Sequence, residues 1–385
     1  MANRLLAEMG ARSVPDLTNP SELSYHLRRG RKQGNEDHMK FGLFDHVDRS
    51  DRPFADQLDQ RIEFAAAADK TDFHCYHVAE HHATPLNMVP VPGVFLGAVA
   101  RATKRIRLGP LVYLLTLYSP LRLVEEICIL DHLCRGRLDV GVGRGISPFE
   151  LNYHNIDFAT TREVFLEALD AVIHGLSHPT LSHAGKHFNY TNVPMELRPF
   201  QTPCPPIWYP SSGAESAAFI GEAGYNFSTL GTIEAAKRCV DAYKAGYAKR
   251  GGPTATPTAF PGGPAIGVNR HVVVAETDAK AKRIAEPAYD SWYASLTKLW
   301  RENKVQGPAI AHDTVAKLDD AMRGGSFIVG SPATVRAEIE RQVATIGVNY
   351  FVCGMYFGTM AHGDAMQSLS LFSTEVMPYF TRVAA

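Results

Sequence analysis

The chain has 385 residues, enough for two average domains or one large barrel. Hydrophobic residues make up 45% and charged residues 21%, the balance of a globular protein with a substantial core. With 39 Lys and Arg against 40 Asp and Glu, the formal net charge of −1 excludes a global pull toward nucleic acid or anionic membrane, and no apolar run is long enough to span a bilayer.

Residues 1–38 are polar, lack the apolar stretch of a signal peptide and carry a basic cluster at Arg28, Arg29, Arg31 and Lys32. They read as a weakly ordered N-terminal extension, with the cluster a solvated tail rather than a nucleic-acid site. Met39-Lys40-Phe41-Gly42-Leu43-Phe44 begins the folded domain, 39–385, with a strand over Lys40–Phe44.

From there strands and helices alternate. Asp56–Lys70 is helical by its spacing of Leu58, Ile62, Ala65 and Ala66. Cys75–Val78 is a strand, Val91–Ala102 a small-residue helix and Ile106–Val112 a strand. Ser119 can cap a helix that has Pro120 in its first turn and runs to about Leu133. Leu138–Val142 is the fourth strand and Thr160–Gly175 the next helix; 176–205 is mixed and turn-rich. Pro206–Tyr209 is a strand and Ser212–Ala223 a helix. Tyr225–Leu230 and Arg270–Ala275 are strands separated by the helix Ile233–Lys249 and by a Gly/Pro/Thr-rich loop. Asp278–Leu299 is helical, 301–327 is weakly periodic, and Gly330-Ser331-Pro332 starts a helix to about Ile346. Asn349–Gly354 is the last strand and Ala365–Val376 the last helix.

Eight strands separated by helices predict an α/β protein with a parallel sheet, closed as a (β/α)8 TIM barrel with insertions. The alternative is a doubly wound open sheet; no Gly-x-Gly-x-x-Gly follows the first strand, which weakens a dinucleotide-binding version of it. The cysteines, Cys75, Cys128, Cys134, Cys204, Cys239 and Cys353, have no Cys-x-x-Cys spacing and read as buried free thiols of a reducing compartment. With the absent signal, this predicts a cytoplasmic protein.

Barrel chemistry sits where strands end. The first such place is His77-Val78-Ala79-Glu80-His81-His82. His77, Glu80 and His81 match the His-x-x-Glu-His pattern of zinc peptidases, but that pattern needs a helix. On a strand His77 and His81 lie about 13 Å apart, too far for one metal. No metal is expected, and His81 reads as a catalytic or ligand-binding histidine, with a structural role the competing reading. The second place is Gly143-Arg144-Gly145. Its glycines allow close backbone approach and its arginine can grip a phosphate, unless it pairs with a rim carboxylate. The third is Ser211-Ser212-Gly213-Ala214-Glu215-Ser216, a helix start with hydroxyls, suited to an anion. Together the last two point to a phosphate-bearing cofactor on the rim of His81. Tyr289, Trp292, Tyr293 and Trp300, ahead of 301–327, read as helix packing or as part of a mobile lid over an apolar pocket.

From Met39 to about Phe380 the chain resembles the bacterial luciferase-like, flavin-dependent monooxygenases. The resemblance rests on Lys40-Phe41-Gly42, Ala79-Glu80-His81-His82, Leu130-Asp131-His132-Leu133 with Gly136-Arg137-Leu138, Gly141 to Gly145, Gly330-Ser331-Pro332, and Ser370-Leu371-Phe372 through Val376-Met377-Pro378. It implies the same barrel, a catalytic His81 near the flavin ring, a flavin-phosphate Arg144, and Ser212, Gly213 and Ser216 in the phosphate cradle. It places Leu111-Val112 at the family's non-proline cis bond against the ring, and 294–327 at its lid. Gly143, Ser147 and Ser212 replace a cysteine, a tyrosine and a glutamate of true luciferases, so light emission and an aldehyde substrate are not implied. The implied activity uses reduced FMN from a separate flavin reductase and O2 to oxygenate a small, apolar substrate through a peroxyflavin. A homodimer is also implied. Competing readings are an F420-dependent dehydrogenase on the same fold, a zinc hydrolase using His77, Glu80 and His81, and a non-catalytic flavin-binding barrel.

Overall fold

The structure, a computed structural model, describes residues 39–260, 263–305 and 317–381. Its strands in chain order are β1 (Lys40–Asp45), β2 (Cys75–Val78), β3 (Arg107–Pro110), β4 (Tyr113–Leu114), β5 (Val140–Gly143), β6 (Thr180–Ala184), β7 (Asn189–Pro194), β8 (Ile207–Pro210), β9 (Asn226–Thr229), β10 (Ile266–Val274), β11 (Phe327–Gly330) and β12 (Tyr350–Gly354). Eight of them form the parallel order β3-β2-β1-β12-β10-β9-β8-β5, with β4 added beside β5 and β11 beside β10. Leu108 of β3 bridges Leu138 at the entry to β5, and the Asp139 N–H donates to the Leu108 carbonyl at 2.8 Å. That contact brings the two ends of the order together as a barrel.

The strands β2, β5, β9 and β12 are buried along their whole length, as strands covered on both faces must be. The cover is a ring of helices, Phe54–Ala68, Pro92–Ala102, Pro120–Leu133, Thr161–Ser177, Ala214–Ala223, Ile233–Arg250, Asp278–Glu302, Pro332–Ile346 and His362–Leu371. Pro92, Pro120 and Pro332 stand in first turns, where the missing N–H costs nothing. Met39–Ala385 forms one compact unit. The basic cluster within 1–38 and the centre of the lid segment, 306–316, lie outside the described residues.

Several details differ from the sequence reading. Ser119 flanks its helix but makes no side-chain cap. The turn-rich stretch 176–205 contains an antiparallel hairpin, β6 with β7, bulged between Leu181 and His183. β10 begins at Ile266, not Arg270; its polar Asn269 is paired inside the barrel, where Ser228 Oγ donates to Oδ1 at 2.6 Å. β11 is a buried apolar strand hidden between Gly324-Gly325 and Gly330, and it pairs with the second half of β10. The last helix starts at His362 and passes through a π turn at Phe372–Val376 into Met377–Thr381. The six-residue helix Pro148–Tyr153 was not anticipated at all.

Candidate active site

His81 lies three residues beyond the C-terminal end of β2. Its Nδ1 is 3.3 Å from Glu150 Oε1, and the His82 N–H donates to the other carboxylate oxygen at 2.8 Å. Glu150 is 3% exposed and comes from the helix Pro148–Tyr153. Ser147 starts that helix and accepts from the Glu150 N–H at 3.3 Å. The Ser-Pro-x-Glu spacing carries half of a capping box, so the helix was detectable in sequence, but its contact with His81 was not. Burial pushes the His81 imidazole toward neutrality; the Glu150 charge reverses this and leaves its pKa raised. Burial likewise raises the Glu150 carboxyl, and the His81 charge wins, so its pKa is lowered. Each charge therefore favours the charged form of the other.

Glu80 does a different job. It is buried, one oxygen is 2.8 Å from His82 Nε2, and the other accepts from the Leu114 N–H at 3.1 Å and the Tyr118 hydroxyl at 3.0 Å. It thus ties the rim of β2 to the segment that follows β3. That segment contains a cis peptide bond between Leu111 and Val112. Glycines make room for it: a Cβ at Gly143 would sit 2.5 Å from Val112 Cγ2, and one at Gly141 would sit 2.5 Å from the Pro110 carbonyl oxygen. The absence of a side chain at Gly143 follows from this crowding.

Arg144 follows β5 directly and is exposed. Its guanidinium lies over the Phe158 ring at 5.5 Å and pairs with no carboxylate among the described residues. Burial raises the pKa of Tyr209 on β8, and the positive charges of Arg144 and Arg162 oppose it, so both arginines act electrostatically on the strand that leads to Ser211–Gly213. There Ser211 Oγ accepts from the Gly213 N–H at 3.2 Å, Ser212, Gly213 and Ser216 are exposed, and the helix start has no side-chain cap. An exposed guanidinium without a carboxylate among the described residues fits a phosphate, and so does an uncapped helix start.

His77 belongs elsewhere. It is fully buried on β2, with Nε2 2.9 Å from the Tyr350 hydroxyl, and burial lowers its pKa to about 4. It faces a different partner from His81, and no set of three metal-ligating side chains occurs among the described residues. Of the aromatic cluster, Trp292 packs on His271 at 4.6 Å, whereas Trp300 reaches Phe149, beside Glu150, at 6.1 Å.

Two groups on the rim of β1 escaped the sequence reading. His46 lies 5.8 Å from the His81 ring and stacks at 6.2 Å with His271 of β10. Asp48 is fully buried; the Gly358 N–H donates to its Oδ2, while Oδ1 has no partner among the described residues. Burial, opposed by that N–H, raises its pKa to about 7. Nothing in the local sequence marks either residue, because what singles them out is their company across the barrel.

A parallel barrel with a histidine–carboxylate pair and an anion-ready arginine on its C-terminal rim defines a (β/α)8 enzyme. The chain belongs to the luciferase-like monooxygenase family, whose model matches residues 39–350. That membership makes it an enzyme of the flavin-dependent monooxygenase class. It is 34% identical over 341 residues to the uncharacterized protein y4wF of Sinorhizobium fredii, covering 88% of this chain and 96% of that one. It is 31% identical over 192 residues to the oxygenase component of the flavin-dependent trigonelline monooxygenase of Acinetobacter baylyi, covering 49% of this chain and 53% of that one. Among solved structures, the oxygenating constituent of the Pseudomonas putida 3,6-diketocamphane monooxygenase, in complex with FMN, superposes with a TM-score of 0.74 at 24% identity, covering 89% of this chain and 98% of that one.

Proposed function

We propose that this protein is the oxygenase component of a two-component monooxygenase, which receives reduced FMN from a separate flavin reductase and oxygenates a small, largely apolar organic substrate. The observation that carries the reading is the shared rim at the strand C-termini: the His81–Glu150 pair, the Leu111–Val112 segment pressed against Gly141 and Gly143, and, after β5 and β8, Arg144 and the uncapped helix start at Gly213. The naming of the trigonelline relative as an oxygenase component supports a separate reductase. Overall, one oxygen atom of O2 enters the substrate and the other leaves as water, with two electrons from the reduced flavin.

In this reading Arg144, Ser212, Gly213 and Ser216 hold the flavin phosphate, and Leu111 and Val112 back its ring. When bound, reduced FMN supplies the electrons that activate O2. His81 is the catalytic group. Glu150 fixes its Nδ1 as a donor, so Nε2 is the atom that holds or moves a proton at the reacting centre. Phe149, Trp300 and Leu111 supply apolar cover that keeps water away.

A cytoplasmic homodimer belongs to the same proposal. No helix among the described residues is long and apolar enough to cross a membrane. Val94, Ile129 and Leu133 are exposed on the adjacent helices Pro92–Ala102 and Pro120–Leu133, an apolar face suited to a second copy.

The test is a stopped-flow experiment in which the protein is loaded anaerobically with reduced FMN and then mixed with O2. The reading predicts a protein-stabilised species whose absorbance differs from oxidised FMN and decays slowly to it. Reoxidation at the rate of free FMN overturns it and moves attention to the deazaflavin cofactor.

A further inference from the structure

We propose that Glu80 is a positioning residue: its carboxylate fixes the catalytic His81 against the Leu111–Val112 segment that backs the flavin ring. The inference rests on the oxygenase reading and deepens it with a residue whose side chain has no exposed surface and acts through its neighbours.

The two segments begin as neighbouring strands. β2 and β3 pair from Cys75 and Arg107 to Val78 and Pro110, and in the last rung the Leu111 N–H donates to the Val78 carbonyl at 2.8 Å. There the ladder ends. The Ala79 N–H turns to the Asp45 carbonyl of β1 at 3.0 Å, and Tyr113–Leu114 leaves to pair with β5. His81 and Val112 both lie beyond the last rung, where no backbone hydrogen bond joins their segments among the described residues.

Glu80 takes over at that point. Its Oε2 accepts from the Leu114 N–H at 3.1 Å and the Tyr118 hydroxyl at 3.0 Å, and its Oε1 lies 2.8 Å from His82 Nε2. Glu80 adjoins His81 in the chain, and Leu114 follows Val112 by two residues, so one side chain spans the gap that the ladder leaves. Leu114 is buried, and a buried N–H needs an acceptor. From the other side Glu150 holds both His81 Nδ1 and the His82 N–H. Two buried carboxylates therefore pin the short segment that carries the imidazole.

The contacts call for a carboxylate. With His82 Nε2 donating, three donors converge on two oxygens, and an ionised carboxyl accepts at both. Burial raises the pKa of this carboxyl, and the His82, Leu114 and Tyr118 donors oppose that. An amide in its place turns an N–H toward one side. Facing Leu114 and Tyr118 it meets two donors; facing His82 it fits only if Nε2 gives up its proton. Either way the tie loosens. A displacement of about 1 Å at a reacting centre can cost about 10²-fold in rate. The phosphate contacts assigned to Arg144, Ser212, Gly213 and Ser216 are untouched by the change.

The test compares Glu80→Gln and Tyr118→Phe with the native protein and with His77→Ala, which loosens the barrel away from the rim. Two quantities are read: the visible absorbance band of bound oxidised FMN, which reports the surroundings of the ring, and the lifetime of the species formed when the protein loaded with reduced FMN meets O2. In Glu80→Gln we expect a shifted band and a lifetime shorter by about tenfold or more, with FMN affinity within about threefold of native. Tyr118→Phe removes one of the three donors and should shorten the lifetime about threefold; it carries the test if Glu80→Gln does not fold. A native lifetime or a native band in folded Glu80→Gln, or a native lifetime in Tyr118→Phe, overturns the assignment. So does an equal shortening in His77→Ala, because any loss of stability would then have the same effect. Failure of the oxygenase reading shows separately, as reoxidation at the rate of free FMN in the native protein, and the absorbance band then still decides whether Glu80 positions the ring segment.

Discussion

His77 and His81 leave the same strand four residues apart, yet they occupy opposite electrostatic worlds. His77 is sealed inside the barrel against Tyr350 and Cys75, and burial holds it neutral. His81 keeps accessible surface and a carboxylate partner that favours its charged form. Residue type therefore says little; the partner and the opening decide which imidazole is available for chemistry. The largest effect that would test this is on turnover. His81→Ala should lower the single-turnover rate about 10²- to 10⁴-fold while sparing flavin affinity and the melting temperature. An unchanged rate would remove His81 from the chemistry. His77→Ala should do the reverse. It leaves the Tyr350 hydroxyl unpaired and a cavity behind, costing about 2–4 kcal/mol in denaturant unfolding, with the rate per folded molecule retained.

The comparison sharpens along the rim. Arg144 stands clear of carboxylates, whereas His81 is bound to one. Arg144→Ala should weaken reduced-FMN binding about 10- to 100-fold in a fluorescence titration, leaving the saturated rate nearly unchanged. Glu150→Gln removes the charge that raises the His81 pKa. Protonated His81 then persists only to lower pH, so any kinetic limb set by His81 should move to lower pH, read from a pH–rate profile. A limb that stays in place would mean that Glu150 acts on the fold alone.

Much of the barrel could be read from sequence because a strand covered on both faces is a continuous apolar run. Tyr350–Gly354 announces itself in that way, and Cys75–Val78 does so but for His77. The first half of β10 did not, because Gly267 and Asn269 interrupt its run, and the Ser228–Asn269 hydrogen bond that makes Asn269 acceptable lies across the sheet. β11 was obscured by flanking glycines. The site divides similarly. His81, Arg144 and the Ser212–Ser216 segment each end a strand or begin a helix, and punctuation of that kind is local. Glu150, His46 and Asp48 acquire meaning only through residues on other strands, and no short window contains those partners.

Asp48 gives the smallest effect and the one most dependent on sign. In the unfolded chain it ionises near the ordinary 3.8, and in the folded protein near 7, because burial penalises the anion more than the Gly358 N–H and Arg61 favour it. The folded state therefore binds the proton more tightly than the unfolded state. Stability from this group is fully present below about pH 4 and is lost as the pH rises toward about 7. Asp48→Asn keeps an oxygen for the Gly358 N–H and cannot ionise. It should match the native protein at low pH and then gain on it by about 1 kcal/mol per pH unit through the window, in denaturant unfolding over a pH series. A gap that does not change with pH would mean that Asp48 is charged in the folded protein. An ionised Asp48 would then join Glu150 and Glu80 in favouring the protonated form of His81, widening its contrast with the neutral His77.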